Sequence, residues 1–229
     1  MQHTFDPRLE QLLNTKIHCD IVFVAGTGPS LATIDVSLID QDRHVVISCN
    51  NAYKAFPNGV TIGHHSDYAW WCTHGIQADN DFNGQLLTTA ALGHSNPTYP
   101  DRVLRLTYSN GAVFGGKWGN LSGVNSGQQA LIMAHWFLPK SIVLLGMDHH
   151  RGQNGQAHWM KDNNPTEDSH QEKMWQGAMK WWDRFLRDRS REWDGMGFTM
   201  PPPEVINASP TSALTQFPKT DDLRALILR

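Results

Sequence analysis

The chain is predicted to adopt an α/β fold, a mostly parallel sheet with helices on both faces and an irregular lid segment. Three observations carry this reading. Short apolar runs at 21–24, 45–48, 60–63 and 142–145 alternate with stretches of helical spacing, the order that builds a parallel sheet with right-handed crossovers. The first run stops at Gly26-Thr27-Gly28-Pro29-Ser30, a glycine-rich turn between a strand and a helix start. The runs also end in polar residues, Asn50-Asn51, His64-His65-Ser66-Asp67 and Asp148-His149-His150. In an open parallel sheet, ligands bind beyond the carboxyl ends of the strands, at the switch in strand order.

The elements follow in sequence. Residues 6–16 read as a leading helix with Leu9, Leu12 and Leu13 on one side, then a strand at 20–25 and a helical or irregular connection at 34–39. Strand two covers 45–48 and strand three 60–63. From 68 to 123 glycine, asparagine, threonine and aromatic residues mix, with only 103–106 reading as strand, and this segment is expected to be a lid. A helix at 126–138 and a strand at 142–145 resume the pattern. The helix from Ser169 to about 187 shows Met174, Trp175, Ala178, Trp181, Trp182, Phe185 and Leu186 at the spacing of one buried face. Ser169 and Glu172 form a capping box at its start. After Pro201-Pro202-Pro203, residues 205–209 read as a last short strand and 221–228 as a closing helix.

The length of 229 residues, with 40% hydrophobic and 18% charged, suits one soluble domain spanning 1–229. A formal charge of −3 does not advertise nucleic acid. No apolar run reaches membrane-spanning length and no signal peptide is visible, so the expected location is cytoplasmic. The three cysteines, Cys19, Cys49 and Cys72, lack C-x-x-C spacing and suggest neither disulfides nor a zinc knuckle.

Within this frame the chemistry falls on few residues. Gly26 and Gly28 permit close approach to an anion, with Thr27, Pro29 and Ser30 completing the turn; Leu31 stands where a dinucleotide fingerprint would carry its third glycine. Asn50 and Asn51 offer donors and acceptors to a base or ribose, or cap a turn. Asn125-Ser126-Gly127 opens a helix, where Ser126 suits either a cap or a phosphate site. His170, in the first turn of its helix, meets the positive end of a dipole that disfavours imidazolium, as a general base requires. Asp67, Asp148 and His149 form the alternative set for a divalent metal, Mg2+ or Mn2+.

The text AGTGPSLATID, followed by a second strand ending in Cys49-Asn50, resembles the opening of a bacterial sialyltransferase family (glycosyltransferase family 42 type). Those chains have a strand, a Gly-Asn-Gly-Pro-Ser-Leu loop, an Ile-Asp and a strand ending in Cys-Asn. Asn125-Ser126-Gly127 and the strand ending Gly146-Met147-Asp148 match the same pattern, so the likeness spans roughly 20–150. It also resembles a wider Rossmann-like superfamily that includes a 6-hydroxymethylpterin diphosphokinase and uncharacterised phage proteins. The resemblance implies a Rossmann-like transferase that moves a sugar from a nucleotide-sugar donor to an acceptor hydroxyl and requires no cofactor. It implies that Asn50 and the Ser126-Gly127 pair hold the donor nucleotide, that His170 is the catalytic base and that Asp148 orients the ribose. Two departures stand out: Thr27 replaces the loop asparagine, and the two tyrosines that grip the leaving phosphate are missing. Arg151, His149 or His158 would take their place. The alternatives are a Mg2+-dependent diphosphokinase-like transferase and a non-catalytic nucleotide-binding protein.

Overall fold

The structure, a computed structural model, describes residues 6–90, 99–109, 112–114, 120–160 and 168–228, with the backbone alone for 168–170. A helix, α1 (Pro7–Lys16), leads into the central strand β1 (Ile21–Ala25), and Asp6 caps that helix by accepting from the Arg8 N–H. Then come β2 (Val45–Cys49), β3 (Ile62–His65), α2 (Tyr68–Asp81), β4 (Gln85–Thr88) and β5 (Val103–Arg105). The short β6 (Thr107–Tyr108) and β7 (Asn120–Leu121) pair with each other. They are followed by α3 (Ser126–His135), β8 (Ser141–Leu145), α4 (Asp168–Gly195), β9 (Glu204–Asn207) and α5 (Leu223–Ile227).

Seven strands form one sheet in the order β5-β4-β3-β2-β1-β8-β9, and every pairing is parallel. The expected α/β sheet is therefore present. The chain moves outward from β1 through β2 to β5, then crosses back to place β8 on the other side of β1. This reversal puts a crevice at the carboxyl ends of β1 and β8.

Both faces of the sheet are buried, which is why the central strands β1, β2 and β8 are almost continuously apolar rather than alternating. Val22, Val24, Val45, Ile47 and Leu144 pack on one face with Leu131, Trp182, Phe185 and Trp193. Ile21, Phe23, Val46, Val143 and Leu145 pack on the other with Trp70, Trp71, Leu223 and Leu226. Among the described residues, no helix is long and apolar enough to cross a membrane.

Several boundaries differ from the sequence reading. The stretch 68–123 contains α2, β4 and β5, and the two strands extend the main sheet; residues 91–98, 110–111 and 115–119 of the expected lid lie outside the described residues. The helix α2 has no clean apolar stripe, because Trp70, Trp71, His74, Gly75 and Ala78 are buried while Ile76 is exposed. Strand β3 lies two residues later than expected, so His64 and His65 belong to the strand itself. The cap of α3 is Asn125, whose side chain accepts from the Gln128 N–H at 3.0 Å, and Ser126 is the first helical residue. Helix α4 runs on to Gly195.

Candidate active site

The crevice is a cleft of about 520 Å3. Gly26, Thr27 and Gly28 after β1, Asn50 after β2, Ser66 and Asp67 after β3, and Asp148 and His149 after β8 line it. Asn125, Ser126 and Gly127 enter from the start of α3, and Gln171, Met174 and Trp175 from α4. The structure thus brings together most of the residues singled out in the sequence. Pro29, Ser30 and Asn51 are close by but do not line the cleft.

The glycine loop is tied chiefly to the protein. Gly26 N–H donates to the Leu145 carbonyl at 2.7 Å and Gly28 N–H to the Gly146 carbonyl at 2.8 Å, extending the β1–β8 pairing past the strands. Ser30 N–H donates to Oδ2 of Asp148 at 2.8 Å. A Cβ on Gly28 would fall on that same oxygen and 2.6 Å from the Gly146 carbonyl; one on Gly26 would stand 2.7 Å from the Gly146 carbonyl and 2.8 Å from Sδ of Met147. A Cβ on Gly127 would also meet Met147 at 2.8 Å, so this thioether occupies the space that two glycines leave open. The absence of side chains here serves the approach of the loops after β1 and β8 to each other. The sequence gives no local sign of this, since the partners are more than a hundred residues apart.

Several polar atoms of the lining residues have no partner among the described residues. They are Oδ1 of Asn50, Oη of Tyr68, Nε1 of Trp70, Oδ1 of Asp148 and Nδ1 of His149. Buried polar groups are ordinarily paired, so five such atoms around one cleft call for an explanation. The two Oδ1 atoms accept, Nε1 of Trp70 and Nδ1 of His149 are placed as donors, and the Tyr68 hydroxyl can do either. Asn50 and His149 also hold left-handed backbone angles, φ +50° and +53°. Asn and His tolerate this region better than most residues, and such positions cluster at functional sites.

His149 is fixed from behind. Trp182 Nε1–H donates to its Nε2 at 3.0 Å. Burial, aided by the charge of His150, pushes the His149 pKa down to about 4. His158 bonds through Nδ1 with the Thr27 hydroxyl at 3.0 Å and is also held below the usual imidazole range, chiefly by burial. Ser126 and Ser66 share a hydroxyl–hydroxyl bond of 2.8 Å, and Ser66 N–H donates to the Ser126 oxygen at 3.1 Å, so α3 and the end of β3 are fastened together at the cleft.

Other sequence candidates take structural positions. Asp67 caps α2 by accepting from Ala69 N–H at 2.8 Å. His64 is buried between the Leu87 carbonyl and Oε1 of Gln129, with its pKa pushed down to about 4 by burial. His65 stacks on Trp71 at 5.2 Å and is pushed down to about 3. Arg151 donates to the Gly155 carbonyl at 2.9 Å and does not line the cleft. Asn51 is fully buried, and neither end of its amide has a partner among the described residues. Among those residues no three His, Cys, Asp or Glu side chains gather as a metal site would require. The backbone of His170 is in the first turn of α4, one residue before Gln171 and one turn before Met174; its side chain lies outside the described residues. Ser66 belongs to a polar strand end that the sequence marked, whereas Gln171 and Met174 were not read as cleft residues, and only the helical phase of α4 could have pointed to them.

No protein-family model and no curated protein matches this sequence. Among solved structures, that of the sialyltransferase CstII from Campylobacter jejuni in complex with a substrate analogue, cytidine-5'-monophosphate, is similar over 88% of this chain and 85% of that one. The TM-score is 0.50 and the identity 16%. The fold is sialyltransferase-like. A structure of monomeric CstII is similar over 87% and 84%, with a TM-score of 0.45 and 14% identity.

Proposed function

We propose that the chain is a nucleotide-sugar-dependent glycosyltransferase that moves a sugar to an acceptor hydroxyl. The observation that carries this reading is the cleft at the switch between β1 and β8, whose lining residues include unpaired acceptors on Asn50 and Asp148 and unpaired donors on His149 and Trp70. Such a mixed set suits a ribose and a phosphate together better than an apolar ligand or a lone anion. The shared fold supports it, because the CstII structure was solved with cytidine-5'-monophosphate. In this reading the loop 26–30, Asn50, Asn51, Asn125, Ser126, Gly127 and His149 form the nucleotide side of the site. Asp148 accepts from a ribose hydroxyl, and His170 at the start of α4 takes the proton of the acceptor hydroxyl.

The test is a thermal-shift screen over nucleoside monophosphates, diphosphates and nucleotide sugars, since a bound ligand raises the melting temperature by mass action. Stabilisation by a nucleotide sugar, followed by release of its nucleotide in the presence of an acceptor, is the expected result. Transfer should survive a chelator. Activity that needs Mg2+ or Mn2+ would replace this reading with a diphosphokinase-like one, and binding without turnover would leave a nucleotide-binding protein.

A further inference from the structure

Indole N–H is a donor only, so the bond from Trp182 Nε1 to His149 Nε2 at 3.0 Å decides the tautomer of the imidazole. The nitrogen facing Trp182 is the acceptor, and the proton sits on Nδ1. That Nδ1 has no partner among the described residues, and His149 lines the cleft. Trp182 has no freedom to release its partner: it is fully buried, edge-on to Trp181 at 5.2 Å and to Phe217 at 5.6 Å. The left-handed backbone of His149 turns the residue out of the line of β8, immediately after Asp148. Two neighbouring residues thus offer opposite complements. Asp148 presents an unpaired carboxylate oxygen, which suits a hydroxyl and repels an oxyanion; His149 presents an N–H, which suits an oxyanion.

We infer that the Nδ1–H of His149 is a tautomer-locked, neutral hydrogen-bond donor to the phosphate of the donor nucleotide, with Trp182 as its positioning residue. This deepens the glycosyltransferase reading and rests on it. When the bond between the sugar carbon and the phosphate oxygen breaks, its electron pair stays on that oxygen. The acceptor oxygen forms the new bond to the sugar carbon, and its proton goes to the base. The hydrogen bond from His149 strengthens as charge builds on the phosphate, and no proton is transferred. Burial of the ring agrees with a role as neutral donor rather than as cation.

Titration of the whole chain with cytidine-5'-monophosphate and with cytidine separates the phosphate from the nucleoside. His149→Ala is expected to weaken the monophosphate at least tenfold and leave cytidine unchanged. His149→Asn, whose amide N–H2 reaches the place of Nδ1, should recover part of the loss. Trp182→Phe should weaken the monophosphate while the ring at 149 samples both tautomers in 15N-histidine NMR. The wild-type spectrum should show a protonated Nδ1 and a bare Nε2 for the signal that His149→Asn removes. Equal losses for both ligands, no loss, or a proton on Nε2 overturns the assignment and leaves the function standing. A wild-type protein that binds no nucleoside phosphate of any base overturns both.

Discussion

Ser30 N–H donates to Oδ2 of Asp148 at 2.8 Å across 118 residues of sequence. This bond joins the loop after the first strand to the loop after the eighth and holds one oxygen of the carboxylate inside the protein. The other oxygen has no partner among the described residues. One oxygen of Asp148 thus serves the fold, the other is assigned to a ligand in the proposed function, and substitution can tell the two apart.

Asp148→Asn should keep the first duty and lose the second. The amide oxygen can still accept from Ser30, while the NH2 group presents a donor where a ligand hydroxyl would donate. The melting temperature should change by only a few degrees and nucleotide affinity should fall about tenfold, or ~1.4 kcal/mol. Asp148→Ala should in addition strand the Ser30 N–H, costing about 1–3 kcal/mol of stability. Calorimetric titration and thermal melts on both variants check this; equal affinity for wild type and Asp148→Asn would remove the carboxylate from the site.

Gly28→Val should unsettle the fold as well as the site. Its Cβ would fall on Oδ2 of Asp148 and against the Gly146 carbonyl, neither of which is the far end of a flexible chain. Overpacking of this kind costs about 1–3 kcal/mol, seen as a melting temperature lower by several degrees. Gly177→Ala is the control. It lies within α4 with nothing near its Cβ, so stability should rise by roughly 0.5–1 kcal/mol.

His170→Ala should lower turnover by roughly 10²- to 10⁴-fold, the usual size of a lost general base, while nucleotide affinity stays within twofold by ~0.4 kcal/mol of wild type. Single-turnover kinetics with the nucleotide sugar found in the screen would measure it. Retention of most activity would pass the role to another residue of the cleft.

Acid should destabilise the protein through its buried histidines. Burial holds His64 at about 4 and His65 and His135 at about 3, all below the ordinary value of 6.5. The unfolded chain binds these protons first, so stability is complete above pH 6.5 and is lost as pH falls toward 4 and then 3. Melting temperatures recorded between pH 7 and 4 should fall steadily. His135→Asn, which can still donate to the Leu131 carbonyl, should flatten the slope. An unchanged slope would mean that His135 takes up no protons on unfolding.

Much of the fold was legible because it is local. The apolar runs of β1, β2 and β8 announced themselves, as did the Trp spacing of α4 and the polar strand ends that line the cleft. What escaped depends on distance. Residues 68–81 mix polar and aromatic side chains because α2 buries Trp70 and Trp71 but leaves Ile76 in solvent, so no stripe marked it as a helix. His64 and His65 read as part of a polar strand end at the site; a shift of β3 by two residues makes them interior packing. Gly26 and Gly28 looked like an anion cradle, yet the groups that demand their smallness, Gly146, Met147 and Asp148, come from the far half of the chain.

The position of β8 between β1 and β9 has a further meaning for how the protein comes into being. During synthesis the glycine turn leaves the ribosome long before Leu145, Gly146 and Asp148 exist to receive its N–H groups. Strands β1 to β5 can align in the order of their making, but the crevice needs a late strand inserted beside the oldest one. Contacts this far apart in sequence are slow to form. A nascent chain halted before β8 would hold five of the seven strands and a naked turn, with no cleft. The cleft is thus among the last features to mature, and a ligand of the cleft added during refolding should act on the closing steps alone.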